Sequence, residues 1–434
     1  RRNFTAQRHW LFGVSIVLVT YDFADIKEGI EKLSTEEPPI KIAVVNSHPI
    51  TYFTELYRDL NSHPRIDLTA IYFSDMGISN SFDAGFNQKI ISTVDLLKGY
   101  KHIFCGKNYR GKVPLGFFSI ATLDGWRILR RSDYDVIWFH GYNYWAFVVA
   151  FFAAKISGKT ILFRCETHLK LNRPWYRRWI RDTLLKLYLK QVNGFLAIGS
   201  LNKDYYKSLG IQDNQISLMP YSVKNQRFES GSVSISNRGG VLSHFEGFNL
   251  KAPTILFCAK FIPRKHPELI LKAMKIIQDD GIEANVIMAG NGPLCESMKD
   301  LALSLSLKNV SFTGFVDQTE LPKLYSICDL FVHPSEDEPW GLVINEVMAA
   351  GLPVLVGRDV GCAKDLVKEG VNGYTLPNLT PECLATYIKK FILHREKLEQ
   401  MGQNSKQIIA DWDYKRCMVG LAKSLEQNGY DVSL

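Results

Sequence analysis

Paired cysteines are missing from this sequence. Its eight cysteines, at 105, 165, 258, 295, 328, 362, 383 and 417, never fall at a Cys-x-x-Cys spacing, which excludes a metal site built on cysteine pairs. Most lie in apolar runs, as Cys258 does in TILFCAKF. They are expected to be reduced thiols packed as small hydrophobes, as in a cytosolic protein. The Asn-x-Ser/Thr triplets at Asn3, Asn309 and Asn378 are too common a pattern to outweigh that. An apolar run of membrane-spanning length is missing too. WLFGVSIVLVTY (10–21) is apolar for about twelve residues, where a span needs roughly 20. Basic residues precede it but no small-residue cleavage site follows, which argues against a signal peptide. Residues 1–39 are expected to be an extension or a peripheral anchor, with a packed strand or helix and a true membrane span as the alternatives. Clusters with metal-ligand spacing are also lacking. The Asp-x-Asp match DYD (133–135) comes before its strand and is expected to be a solvated turn. No metal is expected.

What is present is an ordinary globular composition. The chain has 434 residues, 46% of them hydrophobic and 22% charged, which argues against disorder and for two or three domains. Its 52 basic and 44 acidic residues leave a net charge of +8. That mild excess is compatible with nucleic acid, an anionic membrane or a phosphorylated substrate. No nucleic-acid motif supports the first of these.

From residue 40 onward, short apolar runs rich in β-formers alternate with helical patterns. In the first half the runs are 41–47, 67–73, 135–141, 160–166, 194–199 and 216–223. Near-continuous apolar runs mark strands covered on both faces, as in a parallel sheet. SGSVSISNRGG (230–240) interrupts the rhythm and is expected to be a linker or surface loop. The pattern resumes at 253–261, 284–290, 310–315, 329–335, 352–357 and 373–376, and helices fill about 380–427. This predicts two doubly wound α/β halves, with no close sequence repeat between them.

Chemistry-bearing residues gather at the carboxyl ends of these strands, where open α/β sheets bind ligands. In SEDEPWGLVINEVMAAGLPV (335–354), Glu338 and Glu346 stand in an otherwise apolar setting. The spacing predicts a helix from Leu342 to Ala350, closed by Gly351. Glu338 then lies in the preceding loop and Glu346 one turn inside the helix. Backbone N–H groups near Gly341 and Leu342 are free to meet an anion. In FCAKFIPRKHPELILKAM (257–274), a strand ends at about Lys260, and Lys260, Arg264 and Lys265 cluster beyond it. Such cations could neutralise a diphosphate. AGNGPL (289–294) is a third strand-to-helix turn, with Gly290 and Gly292 permitting close backbone approach.

In the first half, His140 and His168 follow strands, and His140 is the stronger candidate. Ser47, His48 and Thr51 in NSHPITYF (46–53) could contact a polar ligand. RPWYRRWIRDTLLKLYLKQ (173–191) places Trp175, Tyr176, Trp179 and Ile180 on one helical arc and Arg177, Arg178 and Arg181 opposite. It suits an anionic membrane surface or a core-facing helix with a solvated basic face. Its LLKLYL half, apolar nearly all round, is expected to be buried.

EPWGLVINEVMAAGLPV closely resembles the signature of retaining glycosyltransferases of family 4, with Trp340 where Phe is usual. CAKFIPRKH resembles that family's Gly-Arg-Leu…Lys segment, with Lys260 at the Arg position, Lys265 at the Lys and Ala259 at the Gly. GNGPL and FTGFV also match. SHPITYFTELYRDL, FRCETH and GFLAIGSLNKDYY are similar to one branch of the family, whose Val-Asp-Asn is here Val223-Lys224-Asn225. The resemblance covers about residues 40–425.

It implies the GT-B fold, an α/β architecture of two Rossmann-like doubly wound parallel-sheet domains facing a central cleft. The implied division is an acceptor-side domain at 40–245, a nucleotide-sugar domain at 246–410, and helices after DWDYKR (411–416) that cross back to the first domain. It also implies a donor sugar linked to UDP or GDP, with no other cofactor. Glu346 would hold the ribose, Glu338 the transferred sugar, and Lys260 and Lys265 the departing diphosphate, helped by N–H groups near Gly341 and Leu342. Phe315 and Val316 would contact the base, Gly292 would lie against the donor, and His140 would sit near sugar and acceptor.

The implied activity is sugar transfer, with retention and without metal, to a glycan, lipid-linked or small-molecule acceptor. The implied location is cytoplasmic or peripheral on the inner membrane face, with contact through 173–190. An epimerase on the same fold and an inactive sugar-binding scaffold are the alternatives. Retention of Glu338, Glu346, Lys260 and Lys265 together argues against the scaffold. A phosphorylase would need a pyridoxal-phosphate lysine context that the sequence does not show.

Overall fold

Apolar runs without alternation fold here into two all-parallel sheets. The computed structural model describes residues 6–11, 14–19, 38–78, 81–83, 88–90, 95–105, 116–169, 185–229 and 235–432. The first sheet contains β1 (Ile40–Asn46), β2 (Ile66–Tyr72), β3 (Lys101–Phe104), β4 (Val136–His140), β5 (Thr160–Arg164), β6 (Gly194–Ala197) and β7 (Ile216–Leu218). Their order is β7-β6-β5-β4-β1-β2-β3. The second contains β8 (Thr254–Cys258), β9 (Asn285–Ala289), β10 (Val310–Gly314), β11 (Leu330–His333), β12 (Val354–Gly357) and β13 (Gly373–Leu376). Their order is β10-β9-β8-β11-β12-β13.

Both orders reverse direction beside their first strand, between β1 and β4 and between β8 and β11. Such reversals open a crevice at the strands' carboxyl ends. Three helices start beside these crevices: α1 (Thr51–Asn61), α2 (Pro267–Asp279) and α3 (Leu342–Ala350). α1 buries Phe53, Thr54, Leu56, Tyr57 and Leu60, the spacing of one helical face. α3 is buried along most of its length and lies between Gly341 (φ 93°) and Gly351 (φ 91°). Both glycines hold left-handed backbone, which other residues adopt only with strain.

The two sheets are tied together by the loop before α3. Trp340 is buried, its indole N–H donates to Asn345 at 2.9 Å, and the Asn345 amide donates to the Tyr221 carbonyl at 3.0 Å. The final helix, α4 (Tyr414–Glu426), lies on the first sheet. There the Cys417 thiol donates to the Pro220 carbonyl at 3.1 Å, and the Tyr430 and Thr160 hydroxyls meet at 3.0 Å.

Several expectations need correction. The stretch 230–240 is not simply a linker, because Ile235–Leu242 is helical. Its weak helix formers are outweighed by tertiary contacts, since Arg238 pairs with Asp329 and Leu242 is buried. The run 216–223 leaves the sheet after Leu218, before Pro220, which lacks an N–H for the ladder. The strand expected to end at Lys260 ends at Cys258. β3 was not foreseen, because half of KHIF is charged or polar and exposed, as suits an edge strand. LLKLYL is not buried all round: Leu185 and Leu189 are, whereas Leu187 is 62% exposed. The rest of the 173–190 segment, through Leu184, lies outside the described residues.

The early apolar run contributes to an antiparallel pair, Ala6–Leu11 with Val14–Val19. No helix among the described residues is long and apolar enough to cross a membrane.

Gly420 tests the seating of α4. A helical Gly→Ala change ordinarily gains about 1 kcal/mol. Here the added Cβ would fall 2.1 Å from the Leu218 carbonyl oxygen. Gly420→Ala is therefore expected to destabilise, by about 1–3 kcal/mol, in urea unfolding. A stabilised variant would contradict this packing.

Candidate active site

A cavity of about 520 Å³ opens between the carboxyl ends of the two sheets. The first domain contributes His48, Thr51 and Tyr52. The second contributes Lys260, Arg264, Lys265, Phe315, Val316, Glu338, Gly341, Leu342 and Glu346. Most of the residues singled out in the sequence thus converge on one space.

Two stitched loops fix the charged end of this cavity. The Glu336 N–H donates to the Arg264 carbonyl at 2.9 Å, and the Ser335 hydroxyl donates to the same oxygen at 3.0 Å. This holds the turn at Pro263–Lys265 against the loop after β11. His266 (φ 47°) and Asp337 (φ 48°) take left-handed backbone at the bends, where His and Asp are better tolerated than most residues.

Lys265 and Glu338 then form an ion pair, each only 8% exposed. Arg264 donates to the same carboxylate oxygen at 2.9 Å, and the Ser335 hydroxyl lies 3.3 Å away. Burial alone would raise the Glu338 carboxyl, but Lys265, His333 and Arg264 overcome it and hold it at about 2. Burial lowers Lys265 against the pull of Glu338. Burial, with the Lys265 charge, takes His333 down to about 3, so His333 is neutral near pH 7.

Glu346 lies on α3, 2% exposed, and accepts hydrogen bonds from the Tyr325 and Tyr52 hydroxyls, both at 2.6 Å. Burial raises its carboxyl, and the two phenols oppose the rise. Neither tyrosine was singled out in the sequence. Tyr52 stands one residue after Thr51, so the right loop had been marked, but its partner lies 294 positions away.

Several expected residues do not reach the cavity wall. The His140 ring instead meets the Tyr57 hydroxyl at 3.1 Å and packs on Phe53 and Trp138, with centroids 4.4 and 4.8 Å away. Burial holds it well below the usual histidine range. Gly292 is also off the wall, while its neighbour Gly290 lines it. A Cβ on Gly290 would lie 1.9 Å from the Ala259 carbonyl oxygen, so that glycine lets two loops touch. Ser47 is buried beside the cavity rather than on it. Among the described residues no group of His, Cys, Asp and Glu could hold a metal ion.

The ion pair makes a stability prediction. Glu338→Gln leaves Lys265 buried without its closest counter-charge and is expected to cost about 3–5 kcal/mol in denaturant unfolding. Glu338→Gln combined with Lys265→Met is expected to cost less than Glu338→Gln alone. Because the folded-state pKa is depressed, the Glu338 contribution is present above the ordinary carboxyl value. It is lost as pH falls from about 4.5 through about 2. Additive effects of the two substitutions would refute the coupling.

Comparison with known proteins places the second half of the chain in a family and the whole chain in a fold. Residues 242–408 match the family profile of glycosyl transferases group 1. An uncharacterized glycosyltransferase of Methanocaldococcus jannaschii is 32% identical over 171 residues, 39% of this chain and 39% of the relative. A GDP-mannose-dependent alpha-(1-6)-phosphatidylinositol monomannoside mannosyltransferase of Mycobacterium tuberculosis is 26% identical over 182 residues, 40% of this chain and 47% of the relative. The matched region thus spans about two fifths to one half of these relatives. The solved structure of Anabaena HepE with UDP and glucose superposes with a TM-score of 0.66 at 17% identity, covering 89% of this chain and 99% of that one. That likeness establishes the fold. Residues 242–408 thus carry the group 1 glycosyl transferase profile, within a chain that has the GT-B fold.

Proposed function

We propose that this protein transfers a sugar from a UDP- or GDP-linked donor to a hydroxyl acceptor, with retention of anomeric configuration and without a metal ion. One observation carries the proposal. Glu346, Glu338, three cations and the amino end of α3 share a single cavity at the switch points of both sheets. The relatives supply the donor classes, since HepE holds UDP and the mycobacterial enzyme depends on GDP-mannose.

In the reaction, the acceptor oxygen bonds to the anomeric carbon as the bond from that carbon to the diphosphate breaks. The electron pair leaves on the diphosphate, and the acceptor's proton passes to a diphosphate oxygen. Negative charge therefore grows where Lys260, Arg264 and Lys265 stand, and fixed positive groups in a buried site stabilise it. The N–H groups at the start of α3 add oriented donors. Glu338 and Glu346 supply acceptors for the hydroxyls of the transferred sugar and the ribose. Lys265 and Arg264, now held by Glu338, are placed to exchange part of that contact for phosphate.

Two assays test this. Purified protein given UDP- and GDP-sugars with an acceptor panel is expected to release nucleoside diphosphate in the presence of EDTA. Arg264→Ala should lower kcat by about 10²-fold, and its half-exposed side chain makes it a gentler change than Lys265→Ala. Absence of turnover with every donor, or full activity in Arg264→Ala, would sink the proposal. The second assay concerns Tyr52, whose hydroxyl occupies the Glu346 oxygen that a ribose would use. Tyr52→Phe keeps the ring and is expected to tighten UDP or GDP binding several-fold in calorimetry. Unchanged or weaker binding would remove Glu346 from the ribose.

A further inference from the structure

The loop after β5 presents one carboxylate to the cleft from the domain opposite the cations. Residues 165–168 are anchored on three sides. The Cys165 N–H donates to the Tyr206 hydroxyl at 3.0 Å, and the Asn202 amide donates to the Thr167 carbonyl at 2.7 Å. His168, buried, donates through Nε2 to the Glu338 carbonyl oxygen at 3.1 Å across the domain boundary. The loop is thus fixed against the segment that carries Glu338, while the side chain of Glu166 remains exposed to solvent.

Glu166 has a built setting. Among the described residues its one hydrogen bond comes from the Tyr221 hydroxyl, at 2.8 Å. One of its oxygens is thus left for another donor. Arg164, two residues earlier, is 1% exposed. Its guanidinium carbon lies 5.5 Å from the Phe53 ring centre and 5.2 Å from that of Tyr221. Among the described residues its Nε and Nη1 groups find no acceptor. A cation held between two rings supports a nearby anion through space.

The surrounding atoms crowd Glu166 although solvent reaches it. Burial raises its carboxyl; the Tyr221 bond and Arg164 oppose the rise, and Glu338 adds to it. The two carboxylates therefore stand within electrostatic reach of one another across the cleft. Glu166 is not on the wall of the donor cavity but beside it, next to the loop of Glu338. That is where an acceptor must stand to reach a sugar held by Glu338.

We infer that Glu166 binds a hydroxyl of the acceptor, that Arg164 and Tyr221 position it, and that the acceptor's nearest part is a neutral polyol such as a sugar ring. This rests on the transferase proposal for the neighbouring cavity. A carboxylate with a free oxygen accepts from O–H groups and repels phosphate or carboxylate. Gln at 166 would keep the bond from Tyr221 and change only the charge.

The test uses full-length protein. Methyl α-glucoside, methyl α-mannoside and methyl α-galactoside serve as probes in saturation-transfer NMR, with UDP or GDP present. At least one glycoside is expected to bind the unsubstituted protein and to bind Glu166→Gln about tenfold more weakly. UDP and GDP affinity should stay the same in both. In turnover, Glu166→Gln should raise the KM for acceptor and leave the KM for donor unchanged, a split that general destabilisation would not produce. Equal binding by both proteins, or no binding by the unsubstituted one, overturns the inference. Glycoside binding that depends on Glu166 without any nucleotide binding would instead keep the acceptor site and remove the donor proposal.

Discussion

A lysine and a glutamate hold one another at the head of the cleft, where burial works against the charge on each. Lys265 and Glu338 come from different strand-to-helix loops, and both are more than nine-tenths buried. Breaking such a pair strands a charge in a poor solvent, which costs far more than forming it gains. The surroundings are arranged around that demand. Backbone stitching between Arg264, Ser335 and Glu336 fixes the loops. Arg264 supplies a second cation, and His333 stays neutral beneath. The result is a carboxylate kept ionised beside two cations, which in the proposed reaction would be available to a departing diphosphate.

The same loop reaches across to the other domain. Trp340 follows Glu338 by two residues and packs near Tyr221 and Trp412, with ring centres 6.4 and 5.3 Å away. Through Asn345 it also bonds the backbone of Tyr221. Gly199 admits the indole, since a Cβ there would lie 2.3 Å from it. Tyr221 in turn donates to Glu166. A short chain of contacts therefore joins the loop of Glu338 to Glu166. The larger indole, in the position where the family resemblance leads one to expect Phe, brings a polar N–H, and Asn345 satisfies it.

Sequence was informative where local rules act. Continuous apolar runs located twelve of the thirteen strands in the two parallel sheets, because parallel strands covered on both faces need apolar residues throughout. The missing one, Lys101–Phe104, is an exposed edge and carries no such pattern. Gly341 and Gly351 marked the ends of α3 because left-handed backbone selects glycine. Strand-end placement brought Glu338, Glu346, Lys260 and Lys265 to one cavity. The same rule overreached for His140, since the end of a strand does not fix which way a ring turns. Here it turns into an aromatic cluster with Phe53, Tyr57 and Trp138. Tyr52 and Tyr325 were illegible for a different reason. A tyrosine in an apolar run looks like core until its hydroxyl is seen to meet a carboxylate from a distant segment.

Charge divides the cleft into unlike halves. On the second domain, Lys260, Arg264 and Lys265 line the wall, the last two paired with Glu338, and Asp317 and Glu346 stand elsewhere on it. On the first, Arg164 is shut between two rings while Glu166 is an accessible carboxylate. An anion entering the cleft meets cations on one side and a carboxylate on the other. Its binding energy therefore depends on which way it faces. Under the proposed function, a diphosphate would lie toward α3 and its cations, and a neutral polyol would lie toward the loop after β5. The two sheets share the order of their first six strands, yet they present different charged groups to the cleft, and in the proposed reaction that difference would help orient a charged donor against an uncharged acceptor.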